Sequence, residues 1–325
     1  MTRDPQPPPA VIHVIDGPRP NSYRPKVEYT YDDPVWMWQK ALGSDTLLFQ
    51  FGLFDADELT EGPTPGPVGP AELRHFERQL TIAGLTRPDC PPVRRILDLG
   101  CGWGYLSCHL AQRFPEAHHI DAVNISRRQL EHCAHRLTQE PQAADRVRLF
   151  LCDGQDVDLL PEPEVPYDLV IVRGVYTHFL NDVFEASVRA VSTRMRPGAL
   201  LVISDTLYKD DLAQYTSTIP DLVDRLACGN RKSPAYFVRV LEEHGLLLED
   251  MRIMPSNAEI IHWFQKVGLN IEQHFPDGAT GPIEELREMA VSFSASLAQD
   301  KASVYSIITR RTDPAASSSP RVGVS

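Results

Sequence analysis

The sequence predicts an α/β fold built on a doubly wound parallel sheet, and three observations carry that expectation. Five short apolar runs recur between residues 93 and 205, the stretches between them have helical spacing, and the first run ends in a glycine-rich turn. Strands joined by helical crossovers form a parallel sheet whose ligand crevice lies at the carboxyl ends of the strands.

Taken in order, residues 1–27 are proline-rich with little periodicity, so a flexible or extended arm is expected. Residues 28–92 read as a helical lid. Within it, 34–42 has proline in its first turn, and Leu73, Phe76, Leu80 and Ile82 give helical spacing to 71–85 after a proline- and glycine-rich loop. Strands are expected at 94–99, 118–123, 147–151, 167–172 and 199–204, and helices at 104–113, 126–137, 182–196 and 213–227. Beyond Asp205 the stretch 207–252 reads as helical, with a cap inserted at about 207–257. A helix at 258–267 and late strands at 269–274 and 304–309 would complete seven strands in a domain spanning 93–311. The tail, 312–325, is low in hydrophobic residues and is expected to be disordered.

Composition narrows the function classes. A chain of 325 residues with 42% hydrophobic content can bury one large core or two smaller ones. No run approaches the roughly 20 apolar residues of a membrane span. The start, Met1-Thr2-Arg3-Asp4-Pro5, has no apolar stretch of a secretory leader, so a cytoplasmic address is expected. Six cysteines lie without a C-x-x-C pair or a histidine cluster, which points to reduced packing residues and no metal. A net charge of −12 and a pI near 5.4 argue against nucleic acid as a partner, because phosphate binding depends on Lys and Arg. The small-molecule class remains, with no indication of oligomeric state.

The first strand ends in Asp98-Leu99-Gly100-Cys101-Gly102-Trp103-Gly104. Glycines here permit a tight turn and let backbone approach a ligand with no Cβ in between. The spacing is neither G-x-G-x-x-G nor a Gly-Lys-Ser/Thr phosphate loop. An acid before G-x-G-x-G, with further strands at crossover spacing, resembles the S-adenosylmethionine (SAM) site of class I methyltransferases, which implies a seven-stranded, Rossmann-like sheet and SAM as cosubstrate. The resemblance is specific over about 93–205.

In that family the acid, here Asp98, receives the cofactor's ammonium or orients the loop; otherwise it caps the turn. Asn124 and Gln129 stand where the ribose is held, and the pair resembles the site of cyclopropane fatty acid synthases and related small-molecule enzymes. An amide both donates and accepts, so the pair can satisfy a diol without charge. A helix-start residue and a solvated face are their alternatives. Asp153, Gly154 and Gln155 match the adenine turn, or form a solvated acidic loop. Arg173, Tyr176 and His178 follow the fourth strand, where the sulfonium lies in the family. Tyr176 offers a π face or a hydroxyl, or belongs to the core. His178 is a base or a structural histidine. Thr177 replaces the glutamate of cyclopropane synthases, which argues against chemistry on an unactivated alkene. Asp205 and Tyr208 follow the fifth strand. The Asp205 carboxylate can orient or deprotonate an acceptor, or cap a helix. In the lid, Phe49 and Gln50 match positions that touch the cofactor's methionine part, with Tyr29 and Tyr31 as further lid candidates.

The resemblance implies methyl transfer to a small acceptor of specialised metabolism, by in-line displacement at the sulfonium methyl. The chain is also similar to azetidine-2-carboxylate synthases, which implies the alternative of SAM cyclisation, with the cofactor's own amine attacking its γ-carbon and methylthioadenosine released. A non-catalytic SAM-binding protein is the remaining reading.

Overall fold

Strands β1 (Ile12–Ile15), β2 (Arg95–Leu99), β3 (His119–Asn124), β4 (Val147–Cys152), β5 (Tyr167–Arg173), β6 (Met195–Tyr208), β7 (Leu246–Ile253) and β8 (Ala302–Arg311) join in one sheet of order β1-β4-β3-β2-β5-β6-β8-β7. This computed structural model describes residues 10–43, 46–209 and 225–313. Pairing is parallel from β1 through β6 and antiparallel where β8 lies between β6 and β7. The central strands are apolar throughout because both faces are covered: all five residues of β2 are buried.

Alternate residues of each strand serve two cores. Ile96, Leu169, Ile171 and Val202 face a cluster that includes Phe76 and Leu80 of α4 (Gly69–Ile82), Leu110 of α5 (Tyr105–Arg113) and Leu130 of α6 (Arg127–Leu137). Leu97, Val170, Val172 and Ile203 face Phe184 of α8 (Asn181–Arg194) and Phe237 of α9 (Pro234–Glu243). α1 (Arg24–Thr30), α2 (Val35–Leu42) and α3 (Ala56–Glu61) precede α4, and α7 (Pro141–Ala144) precedes β4. A third core joins α2 to α10 (Asn257–His274) and α11 (Gly281–Ala298), with Trp38, Trp263 and Phe264 fully enclosed. It packs beside the carboxyl ends of the strands, since Trp103 of the glycine turn belongs to it.

Several expectations are corrected. The proline-rich arm contains β1, which pairs with β4 from Ile12 opposite Leu149 to Ile15 opposite Cys152, so the sheet has eight strands instead of seven. Residues 269–274 are not a strand: α10, started by a capping box of Ser256 and Glu259, runs on to His274. Residues 246–253, read as helical, form β7, and β6 continues to Tyr208 because β8 pairs along it as far as Ala302. Of the helix expected at 213–227, residues 213–224 lie outside the described residues, and Arg225–Ala227 is one 3-10 turn. The tail from residue 314 also lies outside them. No described helix is long and apolar enough to cross a membrane.

Candidate active site

The β2 turn holds three glycines at positive φ (74°, 55° and 83° at Gly100, Gly102 and Gly104), and they do different work. A Cβ on Gly100 would lie 2.2 Å from Val175, and one on Gly104 would lie 2.2 Å from the Cys133 sulfur. These two glycines, read from sequence as sites of ligand approach, are required by the protein's own packing; Gly100 also lines the cavity described next, and Gly104 does not. Gly102 has nothing within 4 Å of that position. It therefore presents bare backbone to open space.

That space is a cavity of about 1070 Å³, counting its mouth, at the carboxyl ends of β2, β3 and β5. Asp98 lies at its floor, buried, and accepts a hydrogen bond from Ser107 Oγ at 2.6 Å. Burial raises its carboxyl to about 6. Asn124 donates to Gln129 Oε1 at 2.9 Å and to the Gly102 carbonyl at 3.3 Å, while its Oδ1 accepts from the Ser126 N–H. The two amides thus form one preset unit on the cavity wall, at the start of α6, which Ser126 caps. Gly154 lines the opposite side, where a Cβ would meet Phe179 at 2.7 Å.

Asp153 and Gln155 are placed differently from expectation. Asp153 caps the 3-10 turn through the Gln155 N–H and accepts from Asn21 Nδ2 at 2.8 Å, while Gln155 donates to the carbonyls of Arg19 and Pro20. Both hold the N-terminal segment instead of lining the cavity. Asn21, which sequence reasoning missed because it sits in a proline-rich stretch, lines it in their place.

Arg173 is enclosed among Gln79, the Gln50 carbonyl and the face of Phe76, and burial lowers its guanidinium to about 10. It lines the cavity close to Asp98, and that carboxylate and Glu72 both favour its charge. Gln50 donates to Ser204 Oγ at 2.9 Å, and its own N–H donates to Glu72 Oε2 at 3.0 Å. Gly174, at φ 64°, permits this approach, since a Cβ there would sit 2.2 Å from Gln50 Oε1.

A second chamber of about 630 Å³ adjoins the first. Tyr31, Phe49, Gln50, Gly174 and His178 line both. The far wall is built by Asp205, Tyr208, Trp263, Met289 and Phe293. Asp205 accepts from the N–H groups of Thr177 and Thr206 at 3.2 and 2.8 Å, and burial raises its carboxyl to about 6. His178 Nδ1 lies 2.8 Å from the Ala227 carbonyl, which can only accept, so Nδ1 carries the proton. Its Nε2 then accepts from Tyr31 O–H at 3.1 Å, and burial favours the neutral ring.

Tyr176 is a further correction. It lines neither space, because its ring is fully buried among Phe179, Phe184 and Phe237. Tyr29 is 55% exposed and takes no part in the lid, whereas Tyr31 does. Trp103 and Trp263 were not anticipated. Trp103 was visible within the glycine turn, but Trp263 reaches the site only through the third core.

Residues 96–198 match the methyltransferase domain family. Residues 96–198 thus form a methyltransferase domain of the class I SAM-dependent type. Malonyl-[acyl-carrier protein] O-methyltransferase of Priestia megaterium is 27% identical over 154 residues, 47% of this chain and 52% of that one. The chain thus spans about half the length of this relative. Fatty-acid O-methyltransferase of Mycolicibacterium smegmatis is 24% identical over 228 residues, 68% and 73% of the two chains. The fold is that of the cyclopropane synthase MmaA2 of Mycobacterium tuberculosis, with TM-score 0.71 at 12% identity over 89% of this chain and 98% of that one. Geranyl diphosphate C-methyltransferase of Streptomyces coelicolor superposes with TM-score 0.66 at 14% identity, over 90% and 99%.

The first cavity fits SAM, the cosubstrate of class I methyltransferases. Gly102 leaves room for close backbone approach, the Asn124–Gln129 unit suits vicinal hydroxyls, and Asp98 and Arg173 supply one charge of each sign for an amino-acid moiety. Among the described residues no three His, Cys, Asp or Glu converge as a metal site.

Proposed function

We propose that this methyltransferase moves a methyl group from SAM to a small-molecule acceptor held in the second chamber. The observation that carries this reading is the shared wall. A cavity suited to SAM opens beside a second chamber, and Tyr31, Phe49, Gln50, Gly174 and His178 border both. SAM supplies an electrophilic methyl carbon. The chain's own part is alignment and exclusion of water, which provide much of the acceleration in a transfer that needs little covalent help. Tyr31, hydrogen-bonded to His178, closes the junction from the lid side.

The curated relatives act, by their names, on malonyl and fatty-acid groups, which supports a small acceptor without choosing one. A role in specialised metabolism belongs to the same reading. Cyclisation of SAM would require no second chamber, so the chamber favours transfer to a separate molecule.

The test is mass spectrometry of the purified chain with SAM, with and without a small-metabolite extract. S-adenosylhomocysteine formed only with extract is the expected result. Methylthioadenosine and a cyclic amino acid accumulating from SAM alone would replace methyl transfer with cyclisation.

A further inference from the structure

We propose that the second chamber admits a small amine, bound as its ammonium form, and disfavours acceptors that carry a carboxylate. This rests on the methyl-transfer reading and names its acceptor class. Three observations support it. Among the described residues, the chamber's charged lining group is Asp205, and no Lys or Arg lines it. Two cations stand behind the wall without lining it. Lys232 Nζ donates to the carbonyls of Tyr176, Phe179 and Asn230 at 2.8, 2.7 and 2.8 Å, and the Arg231 guanidinium lies 5.3 Å from the centre of the Tyr208 ring.

The chamber also has an aromatic face, alongside the uncharged polar Gln50, Thr177, Thr206 and Cys228 and the neutral His178. Phe49, Phe51 and Trp263 pack with centroids 5.2 to 5.7 Å apart, and Phe293 meets Tyr208 at 6.4 Å. Trp263 is fixed by the hydrogen bond from its Nε1 to Glu72 Oε1 at 2.8 Å. Aromatic faces beside one carboxylate attract a cation and offer nothing to an anion. A carboxylate placed here would lose its water with no Lys or Arg among the described lining residues in return.

The step balances. An ammonium group gives one proton to the Asp205 carboxylate or to water, and the freed nitrogen lone pair forms the N–C bond to the methyl carbon. The S–C bond breaks, its electron pair stays on sulfur, and the products are S-adenosylhomocysteine and the methylated amine, which carries the new positive charge.

The test titrates the full chain, saturated with S-adenosylhomocysteine, with choline, with its neutral carbon isostere 3,3-dimethylbutan-1-ol and with butyrate. Choline is expected to bind about tenfold more tightly than the isostere, the scale of one desolvated cation–π contact, and butyrate to bind least. Asp205→Asn should reduce the choline preference while still binding S-adenosylhomocysteine. Butyrate matching choline, the isostere matching choline, or no ligand binding to the saturated chain would each overturn the amine assignment. Failure of the wild-type chain to bind S-adenosylhomocysteine at all would instead remove the methyltransferase reading beneath it.

Discussion

In the proposed acceptor chamber, Asp205 is the residue on which the chemistry turns. Burial holds its carboxyl at about 6, against the opposing pull of Lys232 and of the Thr206 and Thr177 N–H groups. A raised carboxyl keeps its proton to higher pH, so below about 6 the group is neutral and neither attracts an ammonium nor accepts a proton. Turnover should therefore rise as pH increases through about 6 and level off above it. Asp205→Asn should flatten that limb at saturating SAM, with Asp98, whose carboxyl is also near 6, accounting for what remains, and lower kcat/KM by roughly 100-fold, the low end of acid–base contributions. An unchanged pH profile in the variant would place the titrating group elsewhere. Tyr176 shows the limit of reading residues from sequence. Its position after β5 matched the reacting end of the family site, yet the aromatic partners that enclose it come from α8 and α9, far along the chain.

At the scale of elements, β3 combines the two roles of the sheet. Its carboxyl end delivers Asn124, while nearer its start Asp121 is fully buried and accepts from Arg95, Arg148 and Tyr167 at 3.0, 2.7 and 2.6 Å. These partners hold the Asp121 carboxyl below its usual range despite burial. Asp121→Ala would leave two guanidinium groups facing a void and should destabilise the fold by roughly 3 to 5 kcal/mol. Urea unfolding measures this, and a loss under 1 kcal/mol would show the cluster to be dispensable.

The parallel core was legible because β2 to β5 are continuous apolar runs with helices between them. β1 was not, because its four residues sit in proline-rich sequence and pair with a strand at 149–152. β7 and the end of α10 were exchanged. Leu246-Leu247-Leu248-Glu249 has helical composition and becomes a strand through pairing with β8, while 269–274 continues a helix whose start signal lies at Ser256. In the site, Asp98, Gly102, Asn124, Gln129 and Gln50 were legible from local motif. The third core, which supplies Trp263 and Phe293, depends on contacts between the two ends of the chain.

Across the whole molecule, the N-terminal segment closes the cofactor cavity as a strap. β1 anchors it at the sheet edge, Arg19 pairs with Asp156 and Asp158 at 2.8 and 2.7 Å, and Tyr23 O–H donates to the Cys228 carbonyl. Asn21, Val27 and Tyr31 of the same segment line the cavity, so its position and the cavity's closure are linked. The Arg19 pairs are partly exposed and contribute about 1 kcal/mol. Arg19→Ala should thus weaken S-adenosylhomocysteine binding roughly fivefold without unfolding the chain. Unchanged affinity would mean that the strap holds without this pair.

In the proposed reading the backbone at Gly102 meets SAM. Calorimetric titration of S-adenosylhomocysteine into wild-type chain and Gly102→Val tests it most directly, with circular dichroism to confirm the fold. Apart from its chain neighbours, no atom of the described residues lies within 4 Å of the added Cβ, so the variant can fold, at the strain of a positive φ of 55°. Loss of measurable binding in a folded variant is the predicted result. Unchanged affinity would contradict the placement of the cofactor and, with it, the functional reading of both cavities.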